Sequence, residues 1–411
     1  MIAIRHDSSR RRPGRQAARG PFGCRSLVVA CLAGVLACHA NGRSQSPDSA
    51  AVETADATDR GLAPRGNLEV VARFAGPGPS GIAVSPAGTL FVGFPRHADD
   101  HTGPTLGKLE GNKLVPFPDA ETSLPSSRPI ADRLVSVHGM TMDSAGHLWV
   151  IDDGKRAGHP IEDGAAKVVG FDPVSGARIA SIPLRPPVLR PDSHMNDLRV
   201  DLTHGAKGTA YVTDSSFGTH PALVVVDIAT GRQRRVLEGH RSTEPEEGFL
   251  AILEGRALRY DAKHPTFPVG GADGITLNAD STRLYFSPLT SRRLYSIPTD
   301  ALARFESSES QLREAVRDEG EKGFADGLAS DRNDTIYVTD AEHDEILRRR
   351  RDGTMDVLTR DPRIVWPDGI FATQDHVYVT LGQWNRLPAF NDGKDLRQPP
   401  YLLVRIPIQR Q

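Results

Sequence analysis

The chain has 411 residues, of which 38% are hydrophobic and 25% charged, the composition of an ordinary folded protein. A formal net charge of −2 gives no reason to expect nucleic acid or an anionic membrane surface as a partner. The three cysteines, Cys24, Cys31 and Cys38, all lie near the N-terminus, which excludes a disulfide, a zinc–thiolate site and a cysteine nucleophile from the rest of the chain.

Residues 1–38 have the pattern of a signal peptide. An arginine-rich segment precedes the apolar run at residues 26–37, which is too short to span a bilayer. The sequence Val-Leu-Ala-Cys ending at Cys38 resembles the lipobox of bacterial lipoproteins, and the alternative is a plain signal peptide cleaved near Ala37. We therefore expect an exported bacterial protein, periplasmic or extracellular, that contacts the membrane only through a lipid anchor on Cys38.

Residues 39–66 are small and polar and show no periodicity, so we predict a disordered tether. The remaining residues, 67–411, form the predicted folded domain. Within that domain a short frame recurs six times: a polar residue, a glycine (once an aspartate), an aliphatic residue and a short alternating strand. The six polar residues, which we call the pre-strand residues, are Ser80, His138, Asn196, Asp273, Asp326 and Asp368.

A second strand with an aromatic residue near its start follows each frame, and third and fourth strands follow in several copies. Four antiparallel strands repeated six times predict an all-β fold, a six-bladed β-propeller. The segment that begins at Asn67 has no blade of its own. We expect it to close the ring as the fourth strand of the sixth blade.

Three features lie outside this frame. Residues 299–322 are charged and predict a short surface helix between blades four and five. Residues 97–101, His-Ala-Asp-Asp-His, contain metal-ligand types but lack helical spacing, which favours a solvated loop. Trp366 and Trp384 are expected to pack between blades, with a place at the channel mouth as the alternative.

The innermost strands of a propeller run in the same direction, so the pre-strand residues should meet at one end of the central channel. Asp273, Asp326 and Asp368 would repel one another there unless they bind a cation, share protons or reach water. Asn196 and Asp273 are the predicted ligands of a divalent cation, Ca²⁺ above all, whereas a neutral His138 suits a softer ion. The alternative is a ring of turn residues with structural hydrogen bonds.

Further polar residues end the second strands of the blades: Asp152, Asp153, Asp214, Asp340 and Gln383. Asp214 and Asp340 share the context Tyr-Val-Thr-Asp. Together with Ser80 and Asp368 they are candidate ligand-binding residues. The alternative for the residues at the strand ends is an ordinary turn role.

Several longer segments, taken together, are characteristic of one known protein family. They include PSGIAVSPAGTLFVGFPR (79–96), GHLWVIDDG (146–154), NDLRVDL (196–202), WPDGI (366–370) and NDGKDLRQPPYLLVRI (391–406). With these segments the chain resembles the major royal jelly/yellow family, specifically its bacterial members, over roughly residues 68–408. The resemblance implies a secreted six-bladed propeller whose central channel binds small molecules; some insect members are associated with dopachrome conversion and others with binding biogenic amines. It supplies no catalytic residue set.

Asn196-Asp197 and Asp273-Gly274 also look similar to the motifs of gluconolactonase and paraoxonase propellers. That resemblance implies catalytic Ca²⁺ held by Asn and Asp residues in pre-strand positions. Those enzymes use in addition a glutamate from the first blade, where this chain has Ser80. The difference weakens the inference of hydrolysis.

Three functions remain open because a fold does not choose among them. The first is an enzyme that acts on a small polar ring compound, by dopachrome-like isomerisation or lactone hydrolysis, with His138 and Asp326 as the catalytic candidates. The second is a protein that binds a small-molecule ligand such as an amine without turnover. The third is an envelope protein that uses its propeller faces as an interaction scaffold. We favour small-molecule handling.

Overall fold

A computed structural model describes residues 63–216, 220–258 and 270–408. The predicted signal peptide with Cys38, and the predicted tether up to residue 62, lie outside the described residues. Within the described ranges, none of the helices combines the length and the apolar character that crossing a membrane requires.

The described chain is built almost entirely of short strands. The first is β1 (Glu69–Phe74); blade 1 contains β2 (Ile82–Val84), β3 (Leu90–Gly93), β4 (Leu106–Glu110) and β5 (Lys113–Pro116). Blade 2 contains β6 (Val137–Met142), β7 (Leu148–Asp152), β8 (Lys167–Phe171) and β9 (Arg178–Pro183). Blade 3 contains β10 (Met195–Asp201), β11 (Thr209–Asp214), β12 (Ala222–Asp227) and β13 (Gln233–Val236), followed by the hairpin β14 (Ile252–Leu253) and β15 (Arg256–Ala257).

The second half of the ring repeats the unit. Blade 4 contains β16 (Ala272–Leu277), β17 (Arg283–Pro288), β18 (Arg293–Pro298) and β19 (Arg317–Glu321). Blade 5 contains β20 (Leu328–Ser330), β21 (Ile336–Asp340), β22 (Glu345–Arg349) and β23 (Met355–Arg360). Blade 6 contains β24 (Pro367–Ala372), β25 (His376–Leu381) and β26 (Tyr401–Pro407), and β1 is its outermost strand. The short helices are α1 (Ala120–Ser123), α2 (Thr299–Ala303) and α3 (Glu309–Ala315), with 3₁₀ turns at Trp384–Arg386 and Pro388–Phe390.

The innermost strands β2, β6, β10, β16, β20 and β24 contact one another in a closed cycle. All six sheets are antiparallel and four-stranded, so the predicted six-bladed propeller is confirmed. In blade 6, β1 pairs with β26 from Glu69 opposite Arg405 to Phe74 opposite Tyr401. A strand from before blade 1 therefore completes the sheet of the last blade.

Apolar side chains pack between neighbouring blades. One cluster joins Trp149, Ile151 and Val168 of blade 2 to Leu198 and Val212 of blade 3, all of them buried. Strands in this position are covered on both faces, which explains why β7, β8 and β11 are buried along their whole length. Each buried Val, Leu or Ile contributes roughly 1.5–3 kcal/mol.

The glycine of the repeated frame is required by the closeness of the inner strands. A Cβ atom on Gly81 would lie 2.3 Å from the backbone oxygen of His138, and one on Gly369 would lie 2.1 Å from that of Ser80. The Gly81 N–H donates to the same His138 oxygen at 3.0 Å. Adjacent blades thus make backbone contact at the axis, which no larger residue at these positions would allow.

The prediction for residues 299–322 is wrong in its arrangement. The segment contains α2, α3 and then β19, the fourth strand of blade 4, so it lies within that blade rather than between blades four and five. The Ser308 side chain and the N–H of Gln311 form a capping box that starts α3. Because β19 reads Arg-Asp-Glu-Gly-Glu and is mostly exposed, its sequence carries no apolar alternation.

The last residues of the predicted tether contact blade 5. Arg65 exchanges two backbone hydrogen bonds with Arg360, both 2.9 Å long, and its carbonyl accepts a third from the Thr359 hydroxyl. The folded part of the chain therefore begins slightly before residue 67, where the sequence placed the domain boundary.

Candidate active site

The six pre-strand residues line one cavity on the propeller axis, in the arrangement that the repeated frame predicts. The cavity has a volume of about 20 Å³. A single water molecule needs about 10–15 Å³ measured in this way, so the space holds one water or one ion and no organic molecule. The catalytic, ligand-binding and metal roles assigned to these residues from the sequence stay predictions.

Three of these residues, Asp273, Asp326 and Asp368, form what we call the carboxylate ring. Asp273 and Asp326 are hydrogen-bonded to each other through their carboxyl groups. The indole N–H of Trp366 donates to Asp326 at 2.5 Å, and that of Trp384 donates to Asp368 at 2.6 Å. The two tryptophans pack in an apolar cluster, as expected, and also hold the carboxylate ring.

The carboxylate ring is buried, which makes ionisation costly. Burial raises the pKa of Asp273 to about 8. The pKa values of Asp326 and Asp368 lie well above the usual range, first because of burial and second because each faces another carboxylate, Asp273 and Asp326 respectively. Of the three outcomes open to facing carboxylates, the raised pKa values and the contact between Asp273 and Asp326 favour proton sharing.

Asn196 and Asp273, the predicted calcium ligands, contact each other directly. The Asn196 amide nitrogen donates to Asp273 Oδ2 at 2.9 Å, and the Ser215 hydroxyl donates to the same oxygen at 3.1 Å. To bind an ion, Asn196 would have to turn its amide oxygen inward, in place of the nitrogen that now donates to Asp273. Calcium binding by this pair stays a prediction.

His138 faces two further histidines, and we call His97, His138 and His194 the histidine cluster. Their ring centroids are 4.8–5.1 Å apart, and one nitrogen of each lies within 4.8 Å of the others. His97 belongs to the loop that was predicted to be solvated, and for His97 that prediction is wrong. Its side chain is only 21% exposed because the loop after β3 folds over the start of blade 2.

Asp153 lies against the histidine cluster. Its Oδ2 atom is 3.4 Å from Nδ1 of His194 and 4.0 Å from Nδ1 of His97, while Oδ1 accepts a backbone N–H. Burial raises the pKa of Asp153 to about 6. Burial also lowers the pKa values of His138 and His194 to about 3 and that of His97 well below its usual range, so the three imidazoles are neutral at physiological pH.

Asp152, Asp214 and Asp340 hold loops in place. Asp152 and Asp214 accept backbone N–H groups from the segments that lead into β6 and β10. Each also pairs with a buried cation: Asp152 with Lys167 at 3.0 Å, and Asp214 with Arg235 at 2.6 Å. Asp340 accepts from a neighbouring histidine and a backbone N–H. These contacts fit the turn alternative, and the ligand-binding roles of Asp214 and Asp340 stay predictions.

Arg199 crosses the channel beside this site. Its guanidinium donates to Asp197 at 2.9 and 3.0 Å within blade 3 and to the carbonyl of Leu328 in blade 5 at 2.6 Å. The Arg199 side chain is buried. A charged bridge therefore spans the axis between two non-adjacent blades.

A larger groove, about 360 Å³, lies on the outer side of blades 1 and 2, away from the axis. Its lining includes Arg128 and Arg178, which form ion pairs with Glu121 and Asp132. These charges are exposed and already paired, so the groove lacks a reactive set of side chains.

Sequence reasoning missed His194 and the hydrogen bonds of the tryptophans, and it assigned His97 to a solvated loop. A signal for two of them exists in the frame, because His194 and Trp366 each stand two residues ahead of a pre-strand residue. Each reaches the pre-strand residue of the preceding blade: His194 meets His138, and Trp366 meets Asp326. His97 follows a second strand and has no counterpart in the frame.

Three comparisons place the chain among known proteins. A family model described as "Major royal jelly protein" matches residues 135–392. No curated protein sequence matches the chain. Similar solved structures include a luciferin-regenerating enzyme (TM-score 0.50, 12% identity, 84% of this chain and 95% of that one) and a gluconolactonase from Xanthomonas campestris (TM-score 0.48, 14% identity, 83% and 89%).

A calcium-binding protein, regucalcin, from Agrobacterium tumefaciens is similar to the same degree (TM-score 0.47, 13% identity, 82% of this chain and 94% of that one). At these identities the likeness to solved structures concerns the fold alone.

Proposed function

Because the chain belongs to the major royal jelly protein family, we propose that it binds a small polar molecule over the axial cavity and isomerises it by proton transfer. One observation carries the proposal: His138 and Asp326 line the same cavity, where burial lowers the pKa of the imidazole to about 3 and raises the pKa of the carboxyl group well above its usual range. When the surroundings shift the pKa values of two neighbouring groups in opposite directions, the group with the lowered pKa is the candidate proton acceptor and the group with the raised pKa is the candidate donor.

The two groups suit a tautomerisation, in which one C–H or O–H proton leaves and another is added elsewhere on the same molecule. His138 accepts the departing proton, and the Asp326 carboxyl group donates its own to the substrate. The proton on His138 then returns to Asp326 through water or the neighbouring carboxyl groups, which restores both residues. General acid–base catalysis of this kind contributes about 10²–10⁴ in rate.

The size of the cavity restricts how a substrate binds. A volume of about 20 Å³ admits one oxygen atom and not a ring. We therefore propose that the substrate lies outside the cavity and inserts a single carbonyl or hydroxyl group. His97 is the part of the histidine cluster that reaches solvent, which supports an approach from its side.

A second candidate is amine binding without turnover, and the three carboxyl groups of the carboxylate ring favour it. An ammonium group would pair with an ionised carboxylate, so binding would release protons and affinity would rise with pH. Isomerisation requires the same groups to stay protonated, so the two functions differ in the sign of their pH dependence. Lactone hydrolysis, with a water molecule bound in the cavity as the nucleophile, is a third candidate reaction, and the screen described next also tests it.

The test is a thermal-shift screen of dopachrome, lactones and amines, followed by turnover assays on each compound that binds. A ligand at 100 times its Kd adds about 2.7 kcal/mol of stability. We expect Asp326→Asn to lower kcat by about 10²-fold or more with little change in KM, and the exposed Asp352→Asn to leave both unchanged. Compounds that bind and react equally well with Asp326→Asn would contradict the assignment.

We also propose that the protein acts outside the cytoplasm, attached through Cys38. The support is the basic and apolar pattern of residues 1–38 and the lipobox-like sequence at their end. Expression from the full-length gene with labelled palmitate should label the wild type and place it in the membrane fraction. Cys38→Ala should be unlabelled and soluble; label or membrane attachment that survives the substitution would refute the anchor.

A further inference from the structure

We propose that His97, His138, His194 and Asp153 together form a binding site for a divalent first-row transition metal ion, with Zn²⁺ as the best fit. The inference concerns the same axial end as the proposed function but stands on separate geometry, and it holds whether or not the isomerisation does. If His138 binds the metal, its lone pair is not free to accept a proton from a substrate, and the loaded protein would need another base.

The four side chains converge from three blades. His97 comes from the loop after β3, His138 from β6, Asp153 from the residue after β7, and His194 from the residue before β10. Residues so distant in sequence meet only because the blades are adjacent around the axis. A cluster of three imidazoles and one carboxylate is not explained by a local turn or by apolar packing.

One distance in the cluster equals that of a loaded site, and the others are longer. Nitrogen and oxygen ligands about 2.0–2.2 Å from a tetrahedral ion are about 3.4 Å from one another. Asp153 Oδ2 is 3.4 Å from His194 Nδ1 and 4.0 Å from His97 Nδ1, and one nitrogen of each histidine lies within 4.8 Å of the others. The side chains would therefore move inward when an ion binds.

Two of the ligand atoms are buried and lack hydrogen-bond partners. They are Nδ1 of His97 and Oδ2 of Asp153, and the Asp153 side chain is fully buried. An unsatisfied buried polar atom costs about 1–3 kcal/mol, and more when the group is charged. A metal ion would satisfy both atoms at once.

Surrounding contacts hold the ligands as metal sites require. Nδ1 of His138 lies 3.3 Å from the Ser80 hydroxyl. The backbone N–H of His194 donates to Asp214 at 2.7 Å, and the Oδ1 atom of Asp153 accepts a backbone N–H at 2.8 Å. His97, 21% exposed, gives an ion a route from solvent.

The donor set selects the class of ion. Imidazole nitrogens suit Zn²⁺, Fe²⁺, Ni²⁺ and Cu²⁺, whereas Ca²⁺ and Mg²⁺ prefer shells of oxygen. Three imidazoles and one carboxylate therefore favour Zn²⁺ over Ca²⁺ and Mg²⁺ at this site.

The experiment uses the tag-free full-length protein, stripped with a chelator and reloaded with Zn²⁺ or Co²⁺. We expect one equivalent of metal per chain by elemental analysis and the visible absorption of tetrahedral cobalt. His97→Ala and His194→Ala should each weaken affinity by about 100-fold or more. The matched control is His101→Ala, because His101 lies in the same loop as His97 but its ring contacts the Phe94 carbonyl instead.

Failure to take up either ion would overturn the proposal, and so would undiminished affinity in His97→Ala. An equal loss in His101→Ala would also count against it, because loop damage would then explain the effect. His97→Gln and circular dichroism of each variant separate lost ligation from lost folding. Asp326→Asn should keep the metal and lose turnover, so the failure of this proposal is distinguishable from the failure of the proposed function.

Discussion

Asp273→Asn is predicted to make the protein more stable at neutral pH. Asparagine has the shape of a protonated aspartic acid and can keep the hydrogen bonds with Asn196, Ser215 and Asp326. What it removes is an acid that must stay protonated in the folded state although it ionises freely in the unfolded chain.

The magnitude follows from the pKa of Asp273, about 8 in the folded protein against 3.8 for a freely ionising aspartic acid. Between these values the folded state binds more protons than the unfolded state, so the stability of the wild type falls as pH rises. At pH 7 the buried acid lowers the free energy of unfolding by about 4 kcal/mol, at 1.36 kcal/mol for each pH unit between 3.8 and 7. Near pH 4 this loss of stability vanishes.

Other charged groups face Asp273: Asp326, Asp368, Asp197 and Lys322. Burial lowers the pKa of Lys322 to about 7. A lowered lysine pKa makes the free energy of unfolding rise with pH, but only above the pKa of the lysine in the folded protein. Lys322 therefore adds no pH dependence between pH 4.5 and 7. Comparison of variant and wild type in this range isolates the contribution of Asp273.

The assay is urea unfolding of both proteins at several pH values between 4.5 and 7. We expect an advantage for Asp273→Asn of about 1 kcal/mol at pH 4.5 and about 4 kcal/mol at pH 7. The latter corresponds to about 6 °C in Tm for a domain of roughly 340 residues. Asp352→Asn is the control of opposite sign, because a hydrogen bond from the Thr354 hydroxyl lowers the pKa of Asp352.

No gain at pH 7 would refute the reasoning, since it would mean that Asp273 is ionised in the folded protein. The predicted calcium site would then be the explanation to pursue. Millimolar Ca²⁺ should in that case stabilise the wild type but not Asp273→Asn.

Three further substitutions test the architecture around the axis by the same unfolding assay. Gly369→Ala should lower the free energy of unfolding by about 1–3 kcal/mol, because the new Cβ would lie 2.1 Å from a backbone oxygen. In the control Gly103→Ala the nearest atom is 3.5 Å from the new Cβ, so stability should change by less than about 0.5 kcal/mol. Equal effects of the two substitutions would contradict the close packing. Trp384→Phe removes the donor to Asp368 and should cost about 1–3 kcal/mol. Arg235→Met strands a buried carboxylate and should cost about 3–5 kcal/mol, so an unchanged Tm would show that the pair is not needed.

The sequence predicts the ring because each blade repeats the same local chemistry. Every pre-strand residue from Ser80 to Asp368 stands at the same place in its frame, so propeller geometry alone brings all six to one cavity. The strand β19 escaped prediction because its outer position needs no apolar face.

The histidine cluster could not be found by the same reasoning. His97 and Asp153 lie in loops that differ from blade to blade, and their proximity depends on how far each loop folds over its neighbour. Protonation was equally hidden, because Asp273 in an isolated turn would ionise normally and only its burial reverses that. Neither the path of a loop nor the burial of a carboxyl group can be read from composition and spacing.

The hydrogen bonds of Arg199 connect blades 3 and 5 across the central channel. Arg199 is held by Asp197 in its own blade and by the Leu328 carbonyl in blade 5, so it ties the two blades together beside the axial cavity. A substitution that shifts either blade would therefore also move this guanidinium relative to the pre-strand residues.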